Sequence, residues 1–397
     1  MPQSESATHD LATQALDAFQ IEIPSWGFAN TGTRFGKFVQ AAAATTTEEK
    51  FADAAEVHHL TGVTPTVALH VLWDLPKGLA DVPVVKELER KYGVRAGAIN
   101  PNLFQDQEYK FGSLCNPSAE IRQRALNHLL DSIEIAKQLG CRDISLWMAD
   151  GSNYPGSQSI RNRIGWLEDA LRTAHDNLAP NQRLLIEYKP FEPAFYHTDI
   201  ADWGMSSMLA RAAGPQARVL VDTGHHYTAQ NIEQIVAWLL HTDLLGGFHF
   251  NDRRYADDDL TLGSIDPYQI FRIFHEIHQG LSEGLGAGIA YMIDQSHNIK
   301  GKIEATVQTV VTAQELWLKA ALIDRKQLAI YQQSCDTVAA EELYRGAFWH
   351  DVRPTAAEWR KAHGLPADPL AALRSGGYVE RIAKERGSRS SAVSSYA

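Results

Sequence analysis

The sequence predicts an α/β fold, a (β/α)8 TIM barrel with an additional C-terminal helical region. Short apolar, β-branched runs alternate with longer segments of helical period, and the alternation occurs eight times. No GxGxxG turn follows the first strand, which counts against a doubly wound open sheet. The predicted strands are 19–24 (FQIEIP), 66–72 (TVALHVL), 95–100 (RAGAIN), 142–147 (RDISLW), 183–188 (RLLIEY), 218–222 (RVLVD), 244–250 (LLGGFHF) and 289–294 (IAYMID). The predicted helices are 47–60, 82–92, 119–139, 159–178, 202–213, 231–241, 267–278 and 302–322. The helix over 119–139 has the strongest pattern. Ile121, Leu126, Leu129, Leu130, Ile133, Ala136 and Leu139 recur at three- and four-residue steps, and Gly140 follows as a stop.

Beyond residue 322 the pattern is helical only, with helices expected over 337–349, 355–363 and 370–385. The expected organisation is a barrel domain over 1–322, a helical extension over 323–385 and a disordered tail over 386–397, the last on its Ser-rich composition.

Composition narrows the function. The 397 residues carry 37 Lys and Arg against 48 Asp and Glu, a net charge of −11, which disfavours a nucleic-acid binder or an anionic-membrane binder. No apolar run approaches about 18 residues, so no membrane-spanning helix is expected. The polar N-terminus lacks a secretory pattern, so a cytoplasmic protein is expected. The 3 cysteines (Cys115, Cys141, Cys335) are too few and too far apart for a disulfide framework or a thiolate metal site.

In such a barrel the chemistry sits at the C-terminal ends of the strands. Here they finish in Trp26; His70 with Trp73; Asn100 and Asn102; Trp147 with Asp150; Glu187 with Lys189; Asp222 with His225; His249 with Asp252; and Asp294 with His297. Some of these have an ordinary alternative as helix caps or hydrogen-bonded core residues. Glu187, Asp222, His249 and Asp294, however, lie 35, 27 and 45 residues apart, about one βα unit each. They would converge, and three carboxylates packed together repel unless a cation sits among them. Oxygen and imidazole ligands suit Mn²⁺, Mg²⁺, Co²⁺ or Zn²⁺. The run Asp257, Asp258, Asp259, eight to ten residues after His249, is either a solvated surface run or, beside His225, a second ion site. In an extended segment only Asp257 and Asp259 would point the same way, leaving Asp258 to solvent. Trp26, Trp73, Phe104 and Trp147, at or just past strand ends, are either core or the apolar wall of a sugar pocket. The loop 27–38 (GFANTGTRFGKF) reads as a mobile flap.

The strings IPSWGFANTGTRF, LHVLWD, LWMADGSNYPG, EYKPFEPAFY, VDTGHH, GFHFNDRRYADDD and MIDQSHN together resemble the L-rhamnose isomerase family, in its bacterial branch of relaxed aldose specificity. The likeness runs from about residue 20 to 300. It implies a homotetramer, two divalent metal ions per subunit, commonly Mn²⁺, and L-rhamnose to L-rhamnulose interconversion, with D-allose and D-allulose as further substrates. Matched by motif, it implies one metal on Glu187, Asp222, His249 and Asp294 and a catalytic metal on His225, Asp257 and Asp259. It implies substrate contacts from His70, Trp147, Asp150 and Lys189, and a wall of Trp26, Trp73 and Phe104. It also implies Phe35 on the flap, reaching a neighbouring subunit's site. Lys189, Asp257, His225 and Ser296 are the implied catalytic residues, with His297 beside Ser296. The rival readings are a ketose 3-epimerase on the same barrel, a barrel-type metal-dependent phosphodiesterase and a non-catalytic sugar-binding protein. The −11 charge disfavours the phosphodiesterase, and two metal clusters are superfluous for mere sugar binding.

Overall fold

A computed structural model describes residues 5–390 except 31, 34, 35, 153, 193–195 and 255–258. Eight parallel strands stand side by side in chain order: β1 (Ile23–Pro24), β2 (Thr66–His70), β3 (Arg95–Asn100), β4 (Asp143–Leu146), β5 (Arg183–Glu187), β6 (Ala217–Asp222), β7 (Leu245–Phe250) and β8 (Ala290–Ile293). Glu22 brings the ring round. Its N–H donates to Tyr291 O (2.8 Å) and its carbonyl accepts from the Ile293 N–H (2.9 Å), joining β1 to β8. The (β/α)8 expectation therefore holds, and each strand lies within the run predicted for it or within one residue of it.

Helix α1 (Glu5–Asp17) precedes the barrel. The crossovers are α2 (Thr47–Thr61), α3 (Val82–Tyr92), α4 (Ala119–Leu139), α5 (Ile160–Asp176), α6 (Trp203–Ala213), α7 (Ile232–His241), α8 (Pro267–Ser282) and α9 (Lys302–Ala321). Their starts are written in the sequence. Ser118, Ser159, Asp202, Asn231 and Asp266 each accept a backbone N–H of the first turn of α4 to α8, satisfying a donor the helix cannot. Gly140 ends α4 in the left-handed conformation, φ 76°.

Inside the ring, Trp26, Ala68, Ala98, Leu185, Leu220 and Met292 form a small apolar plug, separate from the large core between strands and helices. In β7 the predicted LLGG run keeps the strand close to its neighbours. A Cβ on Gly247 would fall 2.8 Å from Ala290 O, and one on Gly246 2.5 Å from a Leu185 methyl.

The C-terminal region is α10 (Arg325–Gln333), α11 (Thr337–Trp349), α12 (Arg353–Ala362), α13 (Pro369–Ser375) and α14 (Tyr378–Ser390). It returns to α2 and α9. Arg360 donates to Gln314 (2.7 Å), and Tyr378 and Arg386 both donate to Asp53. Two expectations need correction. The segment expected as one helix over 370–385 is two, broken where Gly377 takes φ 67°. The tail expected to be unstructured from 386 continues α14 to Ser390, with Arg386 buried, while 391–397 lie outside the described residues. Helices α1 and α10 are not among the helices predicted. Ala12 and Leu16 bury one face of α1, and the Trp317 indole donates to Ala15 O at 3.0 Å. Among the described residues no helix is long and apolar enough to cross a membrane.

Candidate metal centre and active site

Above the apolar plug the strand ends open on a cavity of about 390 Å³. The last inward positions of β5, β6 and β7 and the residue after β8 supply Glu187, Asp222, His249 and Asp294. One ligand-type atom from each lies within 4.8 Å of the others, as the spacing predicts. His249 Nδ1 is 3.2 Å from Glu187 Oε2 and 3.7 Å from Asp294 Oδ2. Burial alone would push the Glu187 carboxyl up, but His249 and His225 beside it hold it down at about 2. Burial likewise opposes charge on His249, and Glu187, Asp294 and Asp222 overcome it, raising the imidazole to about 9.

These groups fit a divalent cation. Both Glu187 carboxylate oxygens and His249 Nδ1 are buried, and among the described residues Glu187 meets only the imidazoles of His249 and His225, at 3.2 Å and without well-aligned hydrogen bonds. A buried carboxylate beside an imidazole and two more carboxylates is a divalent-cation donor set. Two neighbours steady it. The Trp26 indole N–H donates to Asp294 Oδ1 at 2.8 Å, and the Asn251 amide donates to both oxygens of Asp222 at 3.1 and 3.2 Å. The same amide lies 3.5 Å from Asp259 Oδ1.

His225 stands beside this group, its Nδ1 3.2 Å from Glu187 Oε1 and 3.1 Å from the Tyr188 carbonyl. His225 and Asp259 both line the cavity, and Asp259 takes a left-handed backbone, φ 46°. Asp257 and Asp258 lie outside the described residues, as does Phe35. Of the loop 27–38 the described part contains a short hairpin pairing Gly32 with Lys37 and Thr33 with Gly36, and Phe28 is core.

The other wall is aromatic and continuous. Trp26 stands edge-on to His70 (4.7 Å between ring centroids), His70 meets Trp73 (4.2 Å) and Phe104 (5.7 Å), and Phe104 meets Trp147 (4.8 Å). Lys189 Nζ sits over the Trp147 ring at 5.0 Å. His70 is kept neutral: burial first, then the nearby Lys50 and His249, bring it down to about 3.

Some expected site residues are elsewhere. Asp150 does not line the cavity. The loop after β4 turns its carboxylate onto the N–H groups of Ser113 (2.7 Å) and Cys115 (3.0 Å) and the Ser113 hydroxyl (2.9 Å). There it ties two loops together, outside the cavity lining where a substrate contact was expected. Asp150, Asp199 and Cys115 also lie together, but the buried Arg163 guanidinium pairs with Asp199 at 2.6 Å and neutralises that group. Asp252 accepts from Arg253, Ile265 and Asp266 backbone N–H groups and closes its own loop. Ser296 and His297 are not in the cavity lining, and burial lowers His297 to about 4. Conversely, Asn251 and Ser145 were not singled out from the sequence. Ser145 lines the cavity two residues before Trp147, a period-2 signal that points inward.

Fold and site together define a (β/α)8 barrel with a carboxylate–histidine centre under an aromatic pocket. The chain belongs to the xylose isomerase-like TIM barrel family, whose model matches residues 53–292. It is 39% identical over 383 residues, 95% of this chain and 88% of the relative, to a probable sugar isomerase of Mesorhizobium japonicum. Among solved structures it is similar to a xylose isomerase domain protein from Alicyclobacillus acidocaldarius (TM-score 0.55, 16% identity, 77% of this chain and 99% of that one). It is also similar to an L-ribulose 3-epimerase (TM-score 0.53, 13% identity, 79% and 97%). At those identities the structural likenesses speak for the fold alone.

Proposed function

We propose that the protein is a metal-dependent aldose–ketose isomerase that interconverts L-rhamnose and L-rhamnulose and also accepts D-allose and D-allulose. The observation that carries this is the buried Glu187 carboxylate clustered with Asp222, His249 and Asp294, facing an aromatic wall across a cavity of sugar size. Family membership and the probable sugar isomerase relative support the reaction class. The motif strings support the choice of sugar.

Glu187, Asp222, His249 and Asp294 would hold one divalent ion, and His225 and Asp259, with Asp257, a second. Mn²⁺ is the favoured metal, with Co²⁺, Mg²⁺ or Zn²⁺ as alternatives. Bound there, such ions supply Lewis-acid polarisation of two adjacent sugar oxygens. The chain's own residues do the rest. Trp26, His70, Trp73, Phe104 and Trp147 pack on sugar C–H faces and exclude water. Lys189, held over Trp147, offers a positive charge to an oxygen that becomes negative. The cavity carboxylates among the described residues, Glu187, Asp259 and Asp294, all belong to the metal groups, which favours a hydride moving from C2 to C1 over proton abstraction by a free carboxylate. A cytoplasmic homotetramer is part of the same proposal.

The test is an assay on metal-stripped protein with Mn²⁺, Co²⁺, Mg²⁺ or Zn²⁺ restored and L-rhamnose, D-allose and D-allulose offered, beside Glu187→Gln. Metal-restored aldose–ketose conversion, lost in the variant, is expected. Deuterium at C2 should be retained at C1. Label lost to water would replace the hydride route with an enediol. Inversion at C3 alone would make the protein an epimerase.

A further inference from the structure

We infer that Ser145 is a specificity-determining residue that holds one hydroxyl group of the bound sugar from the floor of the cavity. The inference rests on the isomerase reading for its ligand but on separate observations for its geometry. In β4, Ser145 pairs in register with Leu185, a member of the apolar plug that closes the barrel below the cavity. The inward neighbours Ala68, Ala98, Leu220 and Met292 are apolar, so an alanine at 145 would suit that layer and carry no polar atom. Instead there is a hydroxyl, with the residue only 1% exposed and Oγ lacking any hydrogen-bond partner among the described residues.

A buried, unpaired hydroxyl costs stability, and natural chains keep such groups where a guest completes them. Ser145 lines the cavity, so the guest has a place to stand. Two residues along the same face, the Trp147 indole N–H also lacks a partner among the described residues and also borders the cavity. Together they form a donor beside a donor–acceptor. That pair fits a sugar hydroxyl, which accepts from Trp147 and exchanges a hydrogen bond with Ser145. An apolar group there would leave both unpaired.

The geometry gives a signature that a merely structural serine cannot produce, because stability and affinity move in opposite senses. In Ser145→Ala the sugar-free protein melts at the same temperature as wild type or higher. Its KM for the best aldose rises about tenfold, the worth of one hydrogen bond, with a smaller change in kcat. Tested against singly deoxygenated aldoses, wild type and Ser145→Ala differ for all but one, and that one lacks the hydroxyl Ser145 holds. A lowered melting temperature with unchanged KM would overturn the inference, since the hydroxyl would then serve the fold. An equal KM increase across every deoxy-sugar would overturn it too. Calorimetric titration with the sugars, run in parallel, separates this from the reaction assignment. Binding that weakens in Ser145→Ala while wild type turns over no aldose supports the Ser145 contact and removes the isomerase reading. Turnover with Ser145→Ala identical to wild type does the reverse.

Discussion

The Trp26 indole N–H donates to Asp294 Oδ1 at 2.8 Å across the seam where β1 meets β8. One residue therefore serves both halves of the site: its ring belongs to the aromatic wall, and its N–H orients a carboxylate of the metal group. Partners that orient metal ligands typically contribute about 10–100-fold in metal affinity. Trp26→Phe keeps a ring and removes the donor. The Mn²⁺ dissociation constant, measured by calorimetry, should rise at least about tenfold. Unchanged affinity would confine Trp26 to the wall.

A cation among Glu187, Asp222, Asp294 and His249 relieves charges that burial otherwise sets against one another. Binding to the folded state alone then stabilises it by about 2.7 kcal/mol at a hundred times the dissociation constant. For a chain of this length that is a rise of about 3 °C in melting temperature. Mn²⁺ added to stripped protein should produce it, and Glu187→Gln should abolish it. A shift that survives in the variant would place the ion elsewhere.

Strand-end chemistry was legible because it is periodic. The acids and His249 recur one βα unit apart, and the barrel turns that spacing into adjacency. What the spacing does not give is loop direction. Asp150 comes four residues after β4 and His225 three after β6, yet the Asp150 loop turns back to Ser113, and nothing in ADGS marks the difference. Asn251 escaped notice because asparagine in HFND reads as a turn former, although it carries the amide that braces Asp222. Helix α1 was missed because it buries only a narrow stripe, and that stripe is covered by α9, about 300 residues later in the chain.

At the opposite end of the barrel Glu22 is buried against Gly97, where a Cβ would fall 1.4 Å from its Oε2. Burial raises this carboxyl to about 7. The Ala98 N–H and the Thr66 hydroxyl draw it down, Asp143 pushes it up and the distant His249 lowers it slightly. The folded state thus keeps the Glu22 proton to higher pH than the unfolded chain, whose value is 4.5. Its contribution is full below about pH 4.5 and is lost as pH rises through 7. Glu22→Gln fixes the neutral form and still accepts from Ala98. It should be more stable than wild type at pH 8, by on the order of 3 kcal/mol, and nearly equal at pH 4.5. Melting temperatures at the two pH values decide it, and equal differences at both would refute a proton held by the fold.

The C-terminal helices are anchored by a buried ion pair between residues 333 positions apart. Arg386 donates through both terminal nitrogens to Asp53, at 2.8 and 2.9 Å, while the Tyr378 hydroxyl donates to the same carboxylate at 2.8 Å. Burial pushes Asp53 up to about 6 in spite of Arg386, so the carboxylate is costly to keep charged even when paired. Removing the arginine strands it. Arg386→Met should destabilise by about 3–5 kcal/mol. Arg386→Met with Asp53→Asn should recover most of that, because the remaining amide still accepts from Tyr378 and no buried carboxylate is left at position 53. Both variants keep every cavity residue, so turnover per folded molecule should match wild type. If the double variant is as unstable as the single one, packing of the arginine stem, rather than its charge, holds α14 against α2.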